Sequence, residues 1–136
     1  MPETPAEPWE YTLHIPNDPR AVPICRRTLR LILTAHGLPH LTEAAELLAT
    51  ELITNAVQHT KGPAAIRLHA THDTLRIGVW DSDPNPPRPA QDSTPDSEGG
   101  RGLTLVLTCA DAWGWTEHRD SAGTGKYIWC ELAAAA

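Results

Sequence analysis

Glu51 and Asn55 stand four residues apart in the run ELITNAVQHT, residues 51–60. On a helix, that spacing stacks a carboxylate and an amide one turn apart on the same side. A carboxylate so placed can take a proton from an attacking hydroxyl as the new bond forms. An amide oxygen beside it can enter the shell of a hydrated cation. With Glu51 set at zero and about 100° per residue, Asn55 falls near about 40°, His59 near about 80°, and the apolar arc centres near about 140°. All three polar groups therefore border the apolar stripe. Side chains there can line a cleft, but Glu and Asn at this spacing also decorate ordinary exposed helices. His59 can equally be a hydrogen-bonding group near the helix end, and Gln58 and Thr60 carry no separate signal.

A second group of candidates lies downstream. Asp81 ends the run LRIGVWD; a carboxylate at a strand end can accept a hydrogen bond from an exocyclic amine or can open an Asx turn. Asp83 has the same options, and the turn role suits it better. Gly99, Gly100, Arg101 and Gly102 form GGRG ahead of the apolar run LTLVLTCA, residues 103–110. Small residues let backbone N–H groups close on an oxyanion, and a helix start adds its dipole. A tight loop-to-helix turn uses glycines in the same way. Arg101 can reach a phosphate or pair with Glu98. Neither GxxxxGK[ST] nor GxGxxG after the first strand is present. Lys126 is read as shielding a strand edge rather than approaching phosphate.

These side chains need elements to hold them. WEYTLHI, residues 9–15, alternates and predicts an edge strand. Residues 19–36 predict a helix with Pro23 in its first turn, Ile24, Leu29, Ile32 and Leu33 inward, Arg26, Arg27 and Arg30 outward, and Gly37 as its stop. A second helix is predicted from about Leu41 to His59, with Thr42 as its cap. AAIRLHA and LRIGVW read as an antiparallel hairpin across THDT. Residues 82–98 hold five prolines and almost no apolar side chain, which predicts a lid, a binding loop or a linker. WGWTEH and KYIWCEL predict two closing strands. The order specifies an α/β two-layer sandwich, a mixed and mostly antiparallel sheet packed on three helices. The domain is expected over residues 9–132, with residues 1–8 and 133–136 as flexible termini.

Composition narrows the function. The chain has 136 residues, 40% of them hydrophobic, enough for one domain with a real core. Eleven basic against seventeen acidic residues give a net charge of -6, with no long basic run, so direct nucleic-acid binding is not expected. No apolar run is long enough to span a bilayer and no leader pattern is seen, so a cytoplasmic protein without membrane contact is expected. Cys25, Cys109 and Cys130 are odd in number and far apart; they read as buried free thiols rather than a zinc or disulfide framework. The five tryptophans are expected in core or groove-wall packing.

Together, ELITNA on a helix, VWD at a strand end, a proline-rich lid, GGRGL and the closing GKYIWCEL resemble the gyrase, histidine-kinase and MutL type of ATPase superfamily. The chain looks most like the small anti-sigma factor serine-kinase branch of high-GC Gram-positive bacteria, over roughly residues 9–132. The resemblance implies the histidine kinase-like ATPase fold, with ATP and magnesium as ligands. It gives Glu51 the place of the general base, Asn55 that of the magnesium-holding amide, and Asp81 that of the adenine-reading carboxylate. Gly100 and Gly102 take the places of the glycines beside the triphosphate. It further implies a homodimer that binds, and phosphorylates on serine, an anti-sigma factor antagonist; some members hold a sigma factor inactive.

Two positions depart from the family pattern. The adenine-side loop often reads DxGxG, whereas here Asp81-Ser82-Asp83-Pro84-Asn85 has neither glycine. The family threonine after Gly or Gly-Lys is absent, because Gly125-Lys126 is followed by Tyr127. No histidine-bearing helical hairpin lies upstream, so an autophosphorylating sensor kinase is not expected. Three classes stay open: a protein-serine kinase with anti-sigma function, a nucleotide-responsive protein-binding module with little catalysis, and an unrelated α/β interaction domain.

Overall fold

A computed structural model describes residues 7–60, 62–83, 108–120 and 123–134. Five strands form one sheet: β1 (Trp9–Ile15), β2 (Ala64–Ala70), β3 (Thr74–Asp81), β4 (Ala112–Asp120) and β5 (Gly123–Ala133), in the order β1-β2-β3-β5-β4. Two helices, α1 (Ala21–Ala35) and α2 (Thr42–His59), pack against it. The two-layer α/β architecture matches the sequence expectation, and β1 is an edge strand as expected. The sheet is not mixed among the described strands: each pairing is antiparallel. Two of the three expected helices are described; of the run 103–110, residues 108–110 form a turn and the rest lie outside the described residues. The expected lid, residues 82–98, also lies outside them apart from Ser82 and Asp83.

The period-2 pattern sets the layering. Ala64, Ile66, Leu68 and Ala70 on β2, Leu75, Ile77 and Val79 on β3, and Ile128, Cys130 and Leu132 on β5 are buried on one face. They share a single core with Cys25, Leu29, Ile32 and Leu33 of α1 and Leu48, Ala49, Leu52, Ile53 and Ala56 of α2. Burying a leucine or isoleucine of this kind contributes about 1.5–3 kcal/mol. Ile24 was expected inside and is 62% exposed. Cys25 takes the inward position instead, because the buried stripe of α1 runs through residues 21, 25, 29 and 32. Gly37 does end this region, with φ +76, a conformation that a Cβ disfavours.

Helix α2 begins differently from expectation. Thr42 is its first residue rather than its cap, and Leu41 precedes it without any side-chain cap bond. A 3-10 turn, Pro39–Leu41, feeds the chain in already wound, with the Leu41 N–H donating to the Leu38 carbonyl at 3.1 Å. The far end is tied down twice. Thr60 Oγ1 donates to the Ala56 carbonyl at 2.8 Å, and Asn17 Nδ2, in the β1–α1 connection, donates to the carbonyls of Val57 at 3.1 Å and Thr60 at 2.7 Å. Arg30 bridges α1 to α2 through both Glu46 carboxylate oxygens, at 3.0 and 2.9 Å. The helix carrying Glu51 and Asn55 is thereby held along its length.

The opposite sheet face has no described helix on it. Trp80, Tyr127 and Trp129 lie there half-buried, with the Arg76 guanidinium 4.2 Å over the Trp129 ring. A cavity of about 400 Å³ opens on this face among Thr12, His14, Arg67, Trp80, Thr116 and Tyr127. None of the five tryptophans is buried, and Trp113 and Trp115 on the edge strand β4 are exposed. Core packing therefore does not explain them; the open face, the sheet edge and, for Trp9, a stack on His36 at 4.3 Å do. Cys25 and Cys130 are buried free thiols as expected, with burial pushing Cys130 up to about 12, but Cys109 is exposed.

Candidate functional site

Glu51 and Asn55 both lie half-buried on α2, at the border of its buried stripe. Partial burial raises the Glu51 carboxyl above the usual carboxylate range, because desolvation disfavours its charged form. A carboxylate shifted in that direction is a better proton acceptor than an exposed glutamate. Helix α2 lies across β3, and the last residue of β3 is Asp81. The structure thus puts the three residues on one side of the sheet.

Asp81 is 1% exposed, although it is charged. Its Oδ1 accepts from the Asp83 backbone N–H at 2.9 Å, an Asx turn closed by Asp81 itself rather than by Asp83. The same oxygen lies 3.0 Å from Lys126 Nζ. Lys126 is 3% exposed and also donates to the Asp83 carbonyl at 3.3 Å, with the Asp83 carboxylate 3.5 Å away. Burial leaves the Asp81 carboxyl above the usual carboxylate range, although the Lys126 ammonium and the Asp83 N–H pull it the other way.

Lys126 does not shield a sheet edge. Strand β5 is interior, between β3 and β4, and Lys126 pairs in register with Asp81 on one side and Glu117 on the other. The signal was present in KYIWCEL. Lys126 is in phase with Ile128, Cys130 and Leu132, so the alternation that buries those three buries Lys126 too. Tyr127 is out of phase and points to the open face, where its hydroxyl lies against Gly78. It cannot stand in for the family threonine on the Asp81 side. Gly99, Gly100, Arg101 and Gly102 lie outside the described residues.

The family model for the histidine kinase-like ATPase domain matches residues 15–129. The chain belongs to that family. No curated protein matches it. Membership supports ATP as the ligand of this ATPase domain. The cavity on the open face is a separate feature, since Trp80 and Tyr127 point away from Asp81. The described residues contain no group of three or more His, Cys, Asp or Glu that could hold a metal ion. Asn55 offers one amide oxygen, which fits a magnesium ion that arrives on a triphosphate and keeps most ligands from phosphate and water. Among the described residues no helix is long and apolar enough to cross a membrane.

Proposed function

We propose that this histidine kinase-like ATPase domain is a magnesium-ATP-binding anti-sigma regulatory factor that acts as a protein-serine kinase. Its substrate is a serine on a small anti-sigma factor antagonist. It works as a homodimer in the cytoplasm and holds a sigma factor when the antagonist is absent. The observation that carries the catalytic part is Glu51, half-buried on α2, raised in proton affinity by that burial, and one turn from Asn55. The resemblance in ELITNA and VWD supports the choice of branch.

The chemistry is a single transfer. The serine Oγ attacks the γ-phosphorus of ATP, the bond to the bridging β–γ oxygen breaks, and ADP leaves. The serine proton passes to the Glu51 carboxylate as charge develops on the attacking oxygen. Asn55 would hold the magnesium ion, which supplies positive charge against the phosphate oxygens. Asp81 would accept from the adenine amine.

A pull-down in magnesium-ATP, followed by radiolabel transfer to the captured protein, tests this reading. Glu51→Ala should keep its nucleotide affinity and lose about 10²-fold or more in transfer. Transfer at the parental rate removes Glu51 from the role of base. If a partner is captured but the parent labels nothing, the domain is a nucleotide-responsive binding module with little catalysis.

A further inference from the structure

The buried contact between Lys126 and Asp81 joins two residues of opposite charge at the end of β3 where a base would be read. Resting on the nucleotide-site reading above, we propose that Lys126 sets base selectivity. Its ammonium holds the buried Asp81 carboxylate as a pure acceptor, so the site takes a base with an exocyclic amine and refuses one with a carbonyl there. The family resemblance supplies Asp81; Lys126 comes from the geometry of this chain.

A carboxylate at 1% exposure has lost nearly all its water. Left alone, such a group relieves the cost of burial by binding a proton. A protonated carboxyl both donates and accepts. It can face adenine's amine through its carbonyl oxygen and guanine's O6 through its hydroxyl, so it no longer distinguishes them. An ionised carboxylate can only accept, and a base carbonyl placed against it meets repulsion and an unmet acceptor. Discrimination at this edge therefore depends on Asp81 staying ionised.

Lys126 is placed to keep it so. Its Nζ is 3.0 Å from Asp81 Oδ1, and both side chains are almost fully enclosed, at 3% and 2% exposure. Solvent does little to screen a pair so enclosed. The ammonium has three protons and three acceptors around it: Asp81 Oδ1, the Asp83 carbonyl at 3.3 Å and the Asp83 carboxylate at 3.5 Å. The side chain is thus fixed in place, and it also pins the Ser82-Asp83 turn that lacks the family's glycines. Among the described side chains at this end of the sheet, the other ionisable groups are acidic. They are Asp83 at the exit of β3, Glu117 opposite Lys126 on β4, and Glu51 on α2. The Asp83 charge favours protonation of Asp81, and Lys126 opposes it. Lys126 is a positioning residue: it acts on the base through Asp81.

The test is the ratio of ATP to GTP affinity across pH, measured by calorimetry with magnesium on the full chain. The parent should prefer ATP by roughly tenfold or more at both pH 6 and pH 9. Lys126→Met should lose most of that preference at pH 6 and regain it toward pH 9, as Asp81 ionises. Lys126→Arg should restore it at pH 6. A carbon-13 titration of aspartate carboxyls, with the Asp81 signal assigned by its absence in Asp81→Asn, reads the ionisation without nucleotide. Asp81 should titrate at higher pH in Lys126→Met than in the parent. An undiminished preference in Lys126→Met at pH 6 overturns the proposal. So does a preference lost equally at every pH, which would make Lys126 a matter of shape alone, and so does a carboxyl titration identical in the two proteins. A parent that binds neither nucleotide sinks the nucleotide-site reading and the selectivity role with it, while the carboxyl titration still reports whether Lys126 holds Asp81 charged.

Discussion

An ionised carboxylate favours water, and Glu51 is held partly out of it on the border of α2's buried stripe. Its carboxyl is raised by desolvation, so the folded state binds a proton more tightly than the unfolded chain does. A folded value above the unfolded one contributes stability below the unfolded carboxylate range, and that contribution is lost as pH rises through the folded value. At neutral pH the ionised Glu51 is therefore a cost to the fold. Glu51→Gln should raise the melting temperature at pH 7, and the gain should vanish near pH 3.5. A variant less stable than the parent at pH 7 would mean that Glu51 makes a contact worth more than its desolvation. The cost is the kind a catalytic position carries. Asn55 has no charge to desolvate, so Asn55→Ala should leave the pH profile of stability unchanged while removing magnesium-dependent nucleotide binding, as calorimetry with and without magnesium would read.

Strand β5 shows how an element turns sequence phase into a site. Its alternation drives Ile128, Cys130 and Leu132 into the core and carries Lys126 in with them, directly across from Asp81. Gly125, just before Lys126, lies so close to β3 that a Cβ there would collide with the Asp81 carbonyl oxygen. Backbone cannot yield as a side-chain tip can, so Gly125→Ala should push β3 and β5 apart where the ion pair sits. A loss of about 1–3 kcal/mol in chemical denaturation is expected, with weaker ATP binding; parental stability would place the two strands further apart than they stand here. Such alternation made the five strands legible in the sequence, and the helical period of about 3.6 residues did the same for both helices and the Glu51–Asn55 flank. What these patterns left illegible depends on partners far away along the chain. That β5 inserts between β3 and β4, and is not an edge, follows from hydrogen bonds between residues such as Asp81 and Lys126, which no local pattern encodes. Ile24 was misplaced by a helical phase that Cys25 satisfies better, and Thr42 by a 3-10 turn that makes a side-chain cap unnecessary. The groove-wall half of the tryptophan reading holds for Trp80, which lines the cavity; the core half fails because hydrophobicity alone does not say which face of a sheet is covered.

At the scale of the molecule, one sheet carries two different faces. The helix side holds the core together with Glu51, Asn55 and Asp81; the open side holds Trp80, Tyr127, Trp129 and the cavity of about 400 Å³. A nucleotide seated on the helix side would touch α2 through Asn55 and the sheet through Asp81, and so would tie the two layers to each other. Unfolding separates those layers, so the ligand must leave before the core opens, and mass action then stabilises the folded state. At about a hundred times its dissociation constant the ligand adds about 2.7 kcal/mol. For a domain of this size that corresponds to a melting-temperature rise of roughly 5–10 °C. Differential scanning calorimetry of the parent with magnesium-ATP should show it, and ATP with a chelator should show less. Asn55→Ala should lose the magnesium-dependent part. Tyr127→Ala, which alters the open face, should start from a lower melting temperature yet keep the full shift. The reverse pattern, a shift that survives Asn55→Ala and disappears in Tyr127→Ala, would move the nucleotide to the open-face cavity and leave Glu51, Asn55 and Asp81 without a ligand to act on.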